Sequence, residues 1–149
     1  MKRWLQLAPC IFLFTSCNNS ANSDSKSGKT YSDTLMDQVM EDHNIGMAKM
    51  SKINETKNKI QHVLDSISTL PTNTQRSLAQ YKMQLDSSFN RLTFAGYEME
   101  KWMEEFNMDS ANGNEEKRID YLKSEKVKIS KVKEAMLSSL KISDSLLKK

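Results

Sequence analysis

Residues 36–67 read MDQVMEDHNIGMAKMSKINETKNKIQHVLDSI. Within this stretch, a series of positions spaced by three or four residues is occupied mainly by apolar side chains. The positions of this seam are Met36, Val39, His43, Gly46, Met50, Ile53, Lys57, Ile60, Leu64 and Ile67. Such spacing marks one face of an α-helix. An unbroken seam of this length predicts a helix of about nine turns that packs against partner helices.

The composition of the whole chain agrees with elongated helices. Its 149 residues include 28% charged and 7% aromatic side chains, with only four glycines and two prolines. That balance is typical of helical proteins and not of β-sheets. Because the length suffices for one domain with a modest core, the sequence predicts a single all-α domain.

Two further segments carry helical seams of their own. Pro71 ends the first helix, which we expect to begin near Ser32 or Asp33, because proline removes a backbone donor and disfavours helical geometry in the residue before it. Residues 107–114 form a second turn in which Asn112 or Asn114 caps the last helix. The two seams are Leu78, Tyr81, Leu85, Ser88, Leu92, Ala95, Met99, Trp102 and Phe106, then Ile119, Leu122, Ile129, Val132, Met136, Leu140 and Leu147.

Three long helices joined by short turns predict an antiparallel three-helix bundle over residues 32–149. A long coiled-coil-like hairpin with a third helix docked on it is the alternative. The side chains expected to be buried are Met40, Leu64, Leu85, Leu92, Trp102, Ile129 and Leu140. The residues expected to meet are Met40 with Met103, His43 with Met99 and Trp102, and Gly46 with Gly96.

Residues 1–16 have the features of a bacterial lipoprotein signal peptide. Lys2 and Arg3 form a charged start, residues 5–14 form an apolar run too short to span a bilayer, and two small residues precede Cys17. This order resembles a lipobox, in which the cysteine is lipidated and becomes the first residue of the mature chain. The alternative is an ordinary cleaved signal peptide that leaves Cys17 as a free thiol.

Residues 17–31 are polar and predict a flexible tether. A tether of this length holds the domain about 20 Å from the membrane. Asn18 differs from the aspartate that retains lipoproteins at the inner membrane, and no acidic cluster of the surface-export type follows the cysteine. The expected location is therefore the cell envelope, on the periplasmic face of the outer membrane, with the chain anchored in the lipid through Cys17.

Charge and cysteine content exclude several classes of function. The formal charge is +3, and removing Lys2 and Arg3 with the signal peptide leaves 20 basic against 19 acidic residues. A nearly neutral protein has no electrostatic attraction for nucleic acid. Cys10 and Cys17 both lie in the targeting region, so the domain has no cysteine for a disulfide or a catalytic thiol.

One face of the first helix is chemically unusual. Its N-terminal half aligns four thioethers and one imidazole, and Met99 and Met103 are expected opposite them. Thioether sulfur and imidazole together suit Cu(I), and Trp102 is placed to cap such an ion. Methionine also fills gaps between helices, and we favour this packing role for the set. The candidate metal ligands are Met40, His43, Met47, Met99 and Met103.

The chain lacks the sequence patterns of common catalytic sites. It contains no HExxH, P-loop or GxSxG pattern, and His62, which we expect on the surface, has no second histidine, cysteine or methionine one turn away. The acidic side chains of the first helix are expected to be solvated, as is usual for charged helix faces. We therefore expect neither an enzyme nor a bound cofactor.

Three blocks of spaced residues form a pattern of their own: Asp37-x-x-Met40-x-x-His43-x-x-x-Met47-x-x-Met50, Met99-x-x-Trp102-Met103-x-x-Phe106, and Tyr121-Leu122-x-x-Glu125-Lys126-x-Lys128-Ile129. From about residue 35 onward the chain resembles small lipoproteins of Bacteroidota-type bacteria that carry the label "viral A-type inclusion protein", a label derived from coiled-coil similarity. Members often have an acidic residue after the histidine, where this chain has Asn44. The resemblance implies a helical lipoprotein and supplies no activity.

These observations favour an envelope lipoprotein that acts as a structural or protein-interaction module. Its expected partners are the lipid membrane and a second envelope protein of unknown identity. Copper binding in the periplasm is the alternative function.

Overall fold

Four helices make up the fold in the computed structural model, which describes residues 28–148. They are α1 (Tyr31–Ser68), α2 (Thr72–Ser77), α3 (Ala79–Glu105) and α4 (Glu115–Leu146). The prediction of an all-α bundle is confirmed. The predicted signal peptide, Cys17 and most of the predicted tether lie outside the described residues, so the structure leaves those predictions as they stand.

The three long helices run up, down and up. Antiparallel packing of α1 and α3 brings the rings of His43 and Trp102 together, with 5.6 Å between their centroids. Helix α4 runs parallel to α1. A hydrogen bond between their first turns shows this direction, since the hydroxyl of Ser32 in α1 donates to Glu115 of α4. The interface of α4 with α1 is the most extensive of the three, so α4 is an integral member of the bundle.

Apolar seams of the three long helices form one continuous core. Helix α3 contributes Leu85, Leu92 and Met99, each fully buried, to this core. Met40, which we expected in the core, is only half-buried because its neighbour Val39 takes the inward position. The other predicted core residues are confirmed as buried, namely Leu64, Leu85, Leu92, Trp102, Ile129 and Leu140.

Side-chain caps fix where two of the long helices begin. Helix α1 starts slightly earlier than predicted, because Thr30 caps it and exchanges hydrogen bonds with Asp33 in a capping box. Asn114 caps α4 by accepting a hydrogen bond from the backbone N–H of Lys117. Of the two predicted caps, Asn112 and Asn114, the structure thus has the second. Both caps satisfy backbone donors that a helix leaves without internal partners.

The second predicted helix is interrupted at Leu78, which separates α2 from α3. The backbone N–H of Leu78 is shared between the carbonyls of Thr74 and Gln75, which tightens the turn. The side chain of Leu78 meanwhile packs against the core. No proline or glycine marks this position, so the sequence carries no local signal for the interruption.

The two helical glycines occupy different environments. A Cβ atom on Gly46 would clash with the terminal methyl of Met99 and would lie 3.3 Å from the sulfur of Met136. A Cβ atom on Gly96 would lie 3.9 Å from the terminal methyl of Met50, an ordinary contact. The expected meeting of Gly46 with Gly96 is therefore wrong. The helices are offset so that Met99, one turn further along α3, takes the space beside Gly46.

Alanine substitutions distinguish these two glycines. Gly96→Ala should raise the free energy of unfolding by about 1 kcal/mol, because alanine favours the helix and its methyl group fits. Gly46→Ala gains the same helix propensity but displaces the methyl group of Met99 within a fully buried site, so we expect a smaller gain or a loss. Urea unfolding followed by circular dichroism measures both. A Gly46→Ala variant as stable as Gly96→Ala would contradict this packing.

Candidate functional site

A row of aromatic rings lies at the end of the bundle where α1 and α4 begin and α3 ends, called here the tether end. The indole of Trp102 stacks on Phe106 with 4.6 Å between ring centroids, and Phe106 lies 6.1 Å from Tyr121. His43 of α1 packs against the other side of Trp102. The row therefore joins all three long helices, and the predicted proximity of His43 to Trp102 is confirmed.

A buried carboxylate supports this row. Glu125 is only 4% exposed, and its two oxygens accept hydrogen bonds from Trp102 Nε1 at 2.9 Å and from Lys128 Nζ at 2.7 Å. The hydrogen bond to Glu125 raises the pKa of Lys128 above its usual value. Burial of a charge is tolerable only with such partners. Glu125 follows Leu122 at helical seam spacing, a signal of burial in the sequence that the predicted seam left out.

A second acid, which is partly buried, links α1 to α4. The carboxylate of Asp42 is 14% exposed and accepts hydrogen bonds from Ser130 and Lys133. Burial by itself would raise the pKa of Asp42, but the hydrogen bonds from Lys133 and Ser130 outweigh it and hold the pKa below its ordinary value. The expectation of a solvated acid is wrong for Asp42, because the parallel α4 covers it.

The five candidate copper ligands differ in their exposure. Met99 is fully buried, Met40 and His43 are half-buried, and Met47 and Met103 are both 37% exposed. No cluster of three or more His, Cys, Asp or Glu side chains suited to a metal occurs in residues 28–148. That observation does not concern thioether ligands, so copper binding stays a prediction.

Two contacts of these methionines and of His43 were not predicted from the sequence. The sulfur of Met136, on α4, approaches Gly46 beside Met99 and was not among the predicted ligands. The Nδ1 atom of His43 lies 3.1 Å from the side-chain oxygen of Asn44.

The carboxylates of Glu125 and Asp42 are both engaged in contacts within the bundle. Each of these two acids uses both of its carboxylate oxygens as hydrogen-bond acceptors. A general acid or base needs an oxygen that can reach a substrate proton. His62, by contrast, is exposed on the far half of α1, as expected.

Apolar side chains also lie outside the core, along the solvent side of α3. Met83, Phe94 and Tyr97 are 65%, 61% and 56% exposed, and we call them the α3 outer stripe. Phe94 also forms part of the wall of an open groove of about 430 Å³ between α3 and α4. None of these three residues belongs to the predicted apolar seam of α3. A large apolar residue that lies outside the seam of a helix is the sequence signal for an exposed apolar surface.

Comparisons with protein-family models, curated proteins and solved structures give no match to this chain. Among residues 28–148, no helix has the length and apolar character that crossing a membrane requires.

Removing the indole donor tests how Glu125 is stabilised. Trp102→Phe should lower the free energy of unfolding by about 1–3 kcal/mol beyond the lost packing, because one buried carboxylate oxygen loses its partner. Glu125→Leu should also destabilise, since it leaves the indole N–H unpaired. The double variant should cost less than the two single variants together.

Urea unfolding of the four proteins gives the coupling energy of the pair. Glu105→Leu is the matched control, because Glu105 is exposed and its contact with Lys101 is long, at 3.9 Å. Its effect should stay within about 0.5 kcal/mol. Strict additivity of the costs at Trp102 and Glu125 would argue against a coupled pair.

Proposed function

We propose that this chain is a lipid-anchored protein of the bacterial cell envelope whose helical bundle is a protein-interaction module. The α3 outer stripe is the observation that carries the proposal. The seams of α1, α3 and α4 are already buried against one another, so the core does not account for Phe94 and Tyr97. Exposed aromatic residues and methionines are enriched where proteins bind other proteins.

The proposed anchor is the lipidated Cys17, and the proposed location is the periplasmic face of the outer membrane. Support comes from the order of charged, apolar and small residues before Cys17. The fold suits this arrangement, because the capping box at Thr30 starts α1 directly after the predicted tether. The bundle would thus be attached through the N-terminus of α1, with the α3 outer stripe open to a partner.

Substituting the two cysteines tests the anchor. Cys17→Ala should leave the full chain unprocessed or move it from the membrane fraction to the soluble fraction, because the lipid attachment site is lost. Cys10→Ala is the matched control and should leave membrane attachment unchanged, since Cys10 lies within the apolar run. Mass spectrometry that finds an unmodified mature N-terminus away from Cys17 would refute the anchor.

Complex size in the native envelope tests the interaction module. The full chain, extracted in mild detergent, should migrate as a complex that Phe94→Ser with Tyr97→Ser reduces in size, because the exposed aromatic surface is removed. Tyr31→Ser with Val127→Ser is the control, since those side chains are 56% and 55% exposed on α1 and α4. Identical migration of all three proteins would count against the module.

A further inference from the structure

We propose that the outer face of α3 is a self-association surface, on which a second copy of this chain docks with its own α3 running antiparallel. This inference rests on the proposed interaction module and names its partner. It starts from Phe94 and Tyr97, which are separated by three positions and are both more than half exposed. Residues at that spacing are neighbours on the same side of a helix.

The stripe is self-complementary when two copies are related by a two-fold axis. If the axis passes α3 between residues 95 and 96, Phe94 of one copy lies opposite Tyr97 of the other. Because the contact is isologous, the same aromatic pair forms twice. Each pair joins large side chains that are otherwise in water, and aromatic pairs gain beyond the area that they bury.

Charge along α3 favours the antiparallel direction. Residues 79–95 carry two basic and one acidic side chain, whereas residues 96–105 carry one basic and four acidic side chains. The same axis places Arg91 of one copy opposite Glu100 of the other, again twice. Neither residue forms a salt bridge with any other described residue. Both are therefore free to pair across the interface.

The net charge of the whole bundle is divided between its two ends in the same way as that of α3. The half at the tether end, residues 28–49 and 96–134, has 10 basic and 14 acidic side chains, a net charge of −4. The far half, residues 50–95 and 135–148, has 8 basic and 4 acidic side chains, a net charge of +4. Antiparallel copies place opposite charges side by side, whereas parallel copies place like charges together. Charge thus selects a second copy in one orientation.

Site-specific photo-crosslinking in intact cells tests this interface on the full chain. A photoreactive amino acid replaces Phe94 or Tyr97, and two differently tagged copies are expressed together. We expect a crosslinked species that carries both tags and has twice the mass of the monomer. The same probe at Val127, exposed on α4, should give none.

Charge reversal supplies the specific control. Arg91→Glu or Glu100→Arg alone should reduce the doubly tagged species about tenfold or more, because each places two like-charge contacts in the interface. Arg91→Glu combined with Glu100→Arg should restore it. Circular dichroism confirms that each variant is folded.

The failures of this inference and of the proposed function differ. Crosslinks from positions 94 and 97 to other proteins only would overturn the second copy as partner and leave the interaction module. No crosslink from either position would overturn both. A doubly tagged species that ignores the single reversals would overturn the antiparallel arrangement.

Discussion

The apolar seam of α1 sets the constraint on which the rest of the bundle depends. It extends over most of a 38-residue helix, and one partner helix cannot cover it along its full width. Helix α3 covers one side from the opposite direction, and α4 covers the other side in the same direction as α1. The up, down and up order follows, because each reversal needs only a short connection.

Polar contacts within the core then fix the register of the helices. The hydroxyl of Ser143 donates to the carbonyl of Ser139, so Ser88 must be the donor in its 2.6 Å hydrogen bond to Ser143. This pair joins α3 to α4 far from the contact of Trp102 with Glu125. A shift of α4 by one turn would leave both pairs unmatched in a buried environment, at a cost that apolar contacts alone would not impose.

The sequence predicted the helices and most of the core because heptad-like spacing reports burial directly. Leu85, Leu92 and Ile129 lie where the periodicity places them. The burial of Asp42 and Glu125 depends on which residues of another helix arrive beside them, and periodicity within one helix does not contain that information. The burial of Glu125 is easier to predict from the sequence than that of Asp42, because Glu125 lies within an apolar seam. At the tether end, the proximity of His43 to Trp102 could be predicted, because residues at similar distances from the turn at Pro71 face each other in an antiparallel helix pair. The choice between Gly96 and Met99 as the neighbour of Gly46 depends on an offset of one turn, which arises from side-chain packing in the finished bundle.

The parallel packing of α1 and α4 has a consequence for the order in which the chain folds. Their contacts join residues far apart in sequence: Ser32 and Glu115 are 83 positions apart, and Asp42 and Lys133 are 91 apart. A ribosome releases α1 first and α4 last. One side of the α1 seam therefore stays uncovered until the final helix emerges, and the core can be completed only when the whole chain has been made.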